Sequence, residues 1–387
     1  MQNKYIHPIL VFMLLLLPAI VCGQAIQVGA ENKGEYFPLI KGKRVAVMSN
    51  HTGMVGDEHL VDMLRREGFH LTAIFSPEHG FRGDAEAGEH ISDSVDKKTG
   101  IAVYSLYGSK NAKPDKQKML LFDVLIVDIQ DVGLRFYTYY ITMMQLMDAC
   151  AEHHKPMILL DRPNPNGYVD GPLLDMKHKS GVGWLPIPVV HGMTLGELAL
   201  MINGEKWLPE GRVCALTVVK CQNYTRSSLY RLPVPPSPNL PNMKSIYLYP
   251  SICLFEGTQV SLGRGTPFPF QVYGHPAMRD CTFSFTPQSL PAATNPPLLG
   301  KLCHGVDLRS LSDKEIINNG FDLSCIIDAY QRMNGKPFFT SFFEKLVGVD
   351  YVRTMIVEGK TAEEIKTVWQ SDVEKFKEQR RPYLLYE

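Results

Sequence analysis

The chain has 387 residues, 45% of them hydrophobic and 21% charged, with forty basic side chains against forty acidic ones. That length supports two cores of ordinary size. A formal net charge of zero supplies no field to gather nucleic acid or an anionic membrane, which excludes a general polyanion binder but not a local anion site.

At the start, Lys4 precedes an apolar run from Ile9 to Leu17, Pro18 breaks it, and Val21-Cys22-Gly23 leads into Gln24. This is the three-part layout of a secretory signal peptide, too short to remain as a membrane span. Residues 1–23 are therefore expected to be a leader cleaved near Gly23, with the mature chain periplasmic or secreted. Cys22 raises lipoprotein anchoring as the alternative, which Val21 before it disfavours. No later stretch approaches the ~20 apolar residues of a transmembrane helix. Cys150, Cys214, Cys221, Cys253, Cys281, Cys303 and Cys325 would then remain, scattered through apolar sequence. No pair shows zinc-ligand spacing with nearby histidines, so they are expected to be small buried hydrophobes; a Cys214–Cys221 bridge stays open.

Further on, strand-like and helix-like segments alternate. Strands are expected over 44–48, 71–75, 123–129 and 156–161, with helices near 55–67 and 139–153. Thr194-Leu195-Gly196-Glu197 has the spacing of a capping box and opens another helix. Apolar strands without alternation, separated by helices, imply a parallel sheet covered on both faces. Beyond Leu232 the prolines at 233, 235, 236, 238 and 241 make a stiff connector. Helical pattern follows over 312–333, and Thr361-Ala362-Glu363-Glu364 caps a last helix to about Glu378. The expected fold is α/β: a Rossmann-like parallel-sheet domain over 24–249 and a smaller α/β domain over 250–387.

The expected strands end in polar residues: Ser49-Asn50-His51, Ser76-Pro77-Glu78-His79, Asp128 to Asp131, and Asp161-Arg162. Ligands of open α/β sheets bind beyond the carboxyl ends of the strands, so four such clusters point to one cleft. Glu78 has a rigid Pro77 before it and Gly80 and Gly83 after it. Apolar neighbours raise a carboxyl pKa and suit it to general-acid work; the structural alternative is a helix cap or an ion pair with Arg82. The segment 128–139 packs Asp128, Gln130, Asp131, Arg135 and two phenols into twelve residues. It offers a second carboxylate, sugar-hydroxyl partners and a guanidinium able to fork onto a carboxylate, against the plainer reading of Asp131 as a cap paired with Arg135. His191-Gly192 precedes a helix start, where either a ligand contact or a satisfied core histidine fits. Glu256 and Arg264 stand in Phe-Glu-Gly-Thr and Gly-Arg-Gly-Thr after the connector. No G-x-G-x-x-G follows a strand, and no P-loop, H-E-x-x-H or G-x-S-x-G occurs. The residues thus describe a carboxylate-rich cleft with neither cofactor nor metal motif, as in an acid–base hydrolase.

These loops together resemble one family. Ser-Pro-Glu-His-Gly-Phe-Arg-Gly at 76–83, the segment 128–139, Asp-Arg-Pro-Asn-Pro at 161–165, His-Gly-Met-Thr at 191–194, Pro-Pro-Ser-Pro-Asn-Leu-Pro at 235–241 and the two motifs over 255–266 occur in the order found in the exo-β-N-acetylmuramidases. These NamZ-like glycoside hydrolases were long catalogued as a domain of unknown function. The likeness runs from about Gly42 to the C-terminus. It implies cofactor-free release of N-acetylmuramic acid from the non-reducing ends of peptidoglycan fragments, in a cleft between the two domains. Carried over, Glu78 becomes the foremost catalytic candidate, expected to protonate the leaving oxygen, with Asp128, Asp131 or Glu256 as second carboxylate or orienter. Asn50, His79, Arg82, Gln130, Arg135, Tyr139, Asp161, Arg162, His191, Glu256 and Arg264 become candidate substrate contacts. Arg135 or Arg264 would suit the lactyl carboxylate of muramic acid. Leu262 and Gln259 depart from the family pattern, which has an acidic residue and an Asn there. The rival readings are a muropeptide-binding protein without turnover and a peptide-stem amidase, the latter lacking its expected nucleophile or metal motif.

Overall fold

The computed structural model describes residues 25–77, 80–82, 93–106 and 113–387. Glu78, His79 and the expected leader lie outside these described residues. In chain order the strands are β1 Arg44–Ser49, β2 Met54–Val55, β3 Glu58–His59, β4 His70–Ser76, β5 Ser94–Val95, β6 Ala102–Ser105 and β7 Val124–Asp128. They continue with β8 Met157–Leu160, β9 Asp170–Leu173, β10 Pro188–Val190, β11 Leu216–Val219, β12 Val272–His275, β13 Phe283–Phe285 and β14 Cys303–Asp307.

Among the described residues, seven strands form the central sheet in the order β11-β8-β7-β1-β4-β6-β5. All neighbours are parallel except β5 and β6. The unbroken apolar runs explain this. Along β1 and β7, Ala46, Met48, Leu125 and Val127 enter one core, while Val45, Val47, Val124 and Ile126 enter the core on the opposite face. Successive side chains leave a strand on alternate sides, so a sheet covered by helices on both faces needs apolar residues at every position. Tyr140, Met143 and Met147 of the Tyr139–Glu152 helix fill the first core; Leu60, Val61 and Leu64 of the Leu60–Arg66 helix fill the second. The α/β architecture is the one expected.

Two expected helices are shorter than their sequence pattern. That over 55–67 starts only at Leu60, because Gly56 at φ 60° turns β2 back onto β3. That over 312–333 splits into Asp313–Asn319 and Ser324–Arg332 around Gly320 at φ 63°. Both capping boxes form, Thr194 with Glu197 and Thr361 with Glu364.

A three-stranded antiparallel sheet, β12-β14-β13, organises the smaller second unit. The helix Met243–Ile252 is continuous across 249/250, so the expected division there would cut a helix. The C-terminal helix Ala362–Arg380 returns to the first unit: Trp369 Nε1 donates to Asp170 Oδ1 at 3.0 Å, and Lys366 pairs with Asp170 Oδ2 at 2.7 Å. One apolar core accordingly runs from Phe75 through Phe255 to Phe376. Cys150, Cys214, Cys221, Cys253 and Cys303 are buried free thiols; Cys281 and Cys325 are partly exposed free thiols. Among the described residues no helix is long and apolar enough to cross a membrane.

Candidate active site

The register sets the carboxyl ends of β4, β1 and β7 level, with Ser49 opposite Asp128 and Met48 opposite Phe75. Asn50, just past β1, is held on three sides. Its Oδ1 accepts from Thr52 N at 3.0 Å and Thr52 Oγ1 at 2.6 Å, its Nδ2 donates to Tyr139 Oη at 2.9 Å, and its carbonyl meets His59 Nε2 at 2.8 Å. Because His59 Nδ1 accepts from Val61 N, the neutral ring carries its proton on Nε2 and donates it to Asn50. Asp128 lies at the end of β7, wholly buried, where Arg162 donates Nε to Oδ1 at 2.6 Å and Nη2 to Oδ2 at 3.0 Å. Gln130 ties adjacent loops, its Nε2 donating to the carbonyls of Asp131 and Pro163, both at 2.8 Å. Asp131 Oδ1 accepts from Gly133 N at 2.6 Å, whereas its buried Oδ2 has no hydrogen-bond partner among the described residues. Burial pushes this carboxyl up to about 7. The strand ends converge, but mostly on one another.

The open volume lies beside them. A cleft of about 560 Å³ runs between Phe136–Tyr139 of the first unit and Glu256, Arg264, Phe270 and the loop 292–297 of the second. Tyr137 Oη donates to Pro236 O at 2.8 Å, fixing the proline connector against the first unit. Tyr137, Tyr139, Tyr249 and Phe270 meet edge to face with ring centroids 4.8–6.1 Å apart, a stable arrangement of ring quadrupoles. Asn239 Nδ2 donates to Ala292 O at 2.8 Å and holds the loop at the cleft. Among the described residues lining the cleft, Glu256 is the one carboxylate and Arg264 the one cation, and they pair at 2.6 Å. Aromatic walls with a few convergent polar groups suit a small polar ligand such as a sugar.

Three comparisons with known proteins bear on this arrangement. Residues 45–244 match the N-terminal domain of exo-β-N-acetylmuramidase NamZ, and residues 247–386 match its C-terminal domain. The chain belongs to the NamZ family. The peptidoglycan β-N-acetylmuramidase NamZ of Bacillus subtilis strain 168 is 39% identical over 373 residues, 91% of this chain and 89% of that protein. A crystallised DUF1343 family protein from Bacteroides fragilis NCTC 9343 is 62% identical, with a TM-score of 0.89 over 94% of this chain and 99% of the other. A second from the same strain is 29% identical, with a TM-score of 0.77 at the same coverage. Membership makes the chain a glycosidase.

Not every motif residue of this NamZ-family chain reaches the cleft. Arg135, expected to contact substrate, is fully buried. Its Nη1 donates to the carbonyls of Pro172 and Ile187 at 2.8 and 2.9 Å, and its Nη2 to those of Leu346 and Val347 at 3.0 and 2.8 Å. It staples the two units, with no donor left over for a sugar except an enclosed Nε. Asp161 is likewise a structural acceptor, taking Thr194 Oγ1 at 2.7 Å, Gly196 N at 2.8 Å and Tyr386 Oη at 2.7 Å. His191 is buried, its Nδ1 accepting from Met193 N at 3.2 Å, and burial pulls its pKa down to about 3. Arg162 is spent on Asp128, and Arg82 on Asp62 and Asp96 at 3.3 and 2.9 Å. Of the expected contacts, Tyr139, Glu256 and Arg264 line the cleft. Tyr137, the other phenol of segment 128–139, lines it as well; so do Asn239, which belongs to the proline motif, and Tyr249 and Phe270, which no motif marks.

Proposed function

We propose that this peptidoglycan glycoside hydrolase is exo-acting and releases N-acetylmuramic acid from non-reducing ends by carboxylate acid–base chemistry, after export from the cytoplasm. The observation that carries the reading is the aromatic cleft with Glu256 as its one described carboxylate. Its volume of about 560 Å³ falls within the roughly 300–1,000 Å³ of small-molecule sites. Glycoside cleavage normally enlists two carboxyl groups flanking the scissile bond. Glu78 is the proposed general acid, on the strength of its motif alone, since it lies outside the described residues. Glu256 is the proposed second carboxyl group: its Oε1 accepts from Nε and Nη2 of Arg264, and its Oε2 has no hydrogen-bond partner among the described residues. Asp128 and Asp131 are better explained as supports, one clamped by Arg162 and the other enclosed beneath the loop at Gly133.

Incubation with a chromogenic β-N-acetylmuramide tests the reading. Release of chromophore and free sugar is expected, and a longer glycan should lose muramic acid one unit at a time from its non-reducing end. Tight binding of the muramide without release would remove the assignment of N-acetylmuramic acid as the released sugar. Internal cleavage would remove the exo assignment.

A further inference from the structure

Four motif arginines are candidates for a ligand anion, and three of them are already engaged. Arg135 serves four carbonyls, Arg162 serves Asp128, and Arg82 serves Asp62 and Asp96. Arg264 is different. Its Nε and Nη2 converge on a single oxygen, Glu256 Oε1, at 3.1 and 2.6 Å. No hydrogen bond to Nη1 is formed among the described residues, and the side chain is 21% exposed at the cleft.

The local backbone is shaped to present this one side chain. Gly263 and Gly265 flank it at φ 89° and 78°, where a side chain is disfavoured. A Cβ at 265 would also come within 2.5 Å of Gln288 O. Thr266 Oγ1 donates to Gly263 O at 2.6 Å and closes the turn. The guanidinium lies 5.1 Å from the centroid of Phe270, and Phe270 itself holds a left-handed backbone at φ 61°. Such a conformation costs a bulky residue of order 1–3 kcal/mol and gathers at ligand sites. A neighbouring hollow of about 260 Å³ also borders the pair, is walled by Phe255, Val260, Leu262 and Phe342, and brings no second carboxylate among the described residues.

We propose that Arg264, aimed by Glu256 and seated on Phe270, recognises the lactyl carboxylate that distinguishes N-acetylmuramic acid from N-acetylglucosamine. The inference rests on the muramidase reading above and names its specificity determinant. A guanidinium offers a planar fork to a carboxylate, is weakly hydrated and stacks on aromatic faces. Its charge-assisted bonds are stronger than neutral ones. A carboxylate ligand would meet the edge of Arg264 that Glu256 leaves vacant, whereas a neutral sugar would gain only a weaker bond there.

Calorimetric titration of the full chain with N-acetylmuramic acid and with its neutral lactyl methyl ester tests this directly. The wild type should bind the acid about 10- to 100-fold more tightly than the ester, the scale of hydrogen bonds to charged groups. Arg264→Gln should bring the two ligands within about twofold of each other by weakening only the acid, and Arg264→Lys should recover part of the preference. Equal wild-type affinities, no detectable binding of the acid, or a parallel loss of both ligands in Arg264→Gln would overturn the assignment. Turnover of the chromogenic muramide by the wild type is read separately. Its absence alongside an Arg264-dependent preference for the acid would sink the hydrolase reading and leave the recognition site standing.

Discussion

Arg162 grips Asp128 through two N–H bonds, Nε to Oδ1 at 2.6 Å and Nη2 to Oδ2 at 3.0 Å, with neither side chain more than 3% exposed. The same Nη2 donates to Met54 O at 2.8 Å, so the pair also fixes the turn that follows β1. Removing one partner of a buried pair leaves an uncompensated charge and costs about 3–5 kcal/mol. Asp128→Asn is therefore expected to lower the urea midpoint strongly, with whatever folded protein remains still turning over muramide. A variant of unchanged stability but no activity would return Asp128 to the chemistry.

What the sequence made legible and what it hid follow from one distinction. β1, β4, β7 and β8 were readable because a strand covered on both faces is apolar without interruption, as in Val124-Leu125-Ile126-Val127. β9 and β10 were not: Asp170-Gly171-Pro172-Leu173 looks like a loop, and its pairing depends on a partner that begins at Pro188. β12 and β14 hid for a similar reason, since Gly274 faces Gly305 across a contact that leaves no room for a Cβ. The site motifs could be found in the sequence, but the direction of each side chain could not. Arg135 turns inward to carbonyls supplied by three distant segments, and nothing within twelve residues of it announces them. Tyr249 and Phe270 reach the cleft only through the packing of the second unit on the first.

Asp131 should give stability a measurable pH dependence. Burial pushes its carboxyl up to about 7 in the folded chain, against about 3.9 when unfolded. Between those values the folded state holds a proton that the unfolded state has lost, so the contribution is complete below about pH 4 and fades as pH rises towards 7. One such proton is worth about 1.4 kcal/mol per pH unit. Asp161, pushed up to about 6 by burial, adds a slope of the same sign. Asp131→Asn, permanently neutral, should flatten the change in urea midpoint between pH 5 and pH 7.5. An identical slope in the variant would mean that Asp131 ionises normally within the fold.

Arg135→Met should unfold the junction between the two units. Four backbone carbonyls would lose their donors at once, and a single buried unsatisfied group already costs about 1–3 kcal/mol. Arg135→Lys keeps the charge but not the planar fork, and should fall between. Gly348→Ala attacks the same joint from the other side, because its Cβ would lie 2.5 Å from Arg135 Nη2. Thermal midpoints of the three variants, compared with activity per folded molecule, decide the matter. A fully stable Arg135→Lys enzyme with a large rise in KM would instead restore a substrate-binding role.

Glu78→Gln separates proton donation from other roles through the choice of leaving group. A general acid contributes roughly 10²–10⁴-fold by protonating the departing oxygen, and its help matters most when that oxygen is strongly basic. On a muramyl disaccharide, whose leaving group is a sugar hydroxyl, kcat should fall at least ~100-fold with an unchanged thermal midpoint. With a nitrophenyl leaving group, which departs readily as the anion, the loss in the glycosidic cleavage step should be far smaller. Glu256→Gln should show no such dependence, because a second carboxyl group acts at the sugar rather than at the leaving oxygen. Equal losses on both substrates for Glu78→Gln would take the proton-donor role away from Glu78, and a leaving-group dependence confined to Glu256→Gln would move it to the carboxylate beside Arg264.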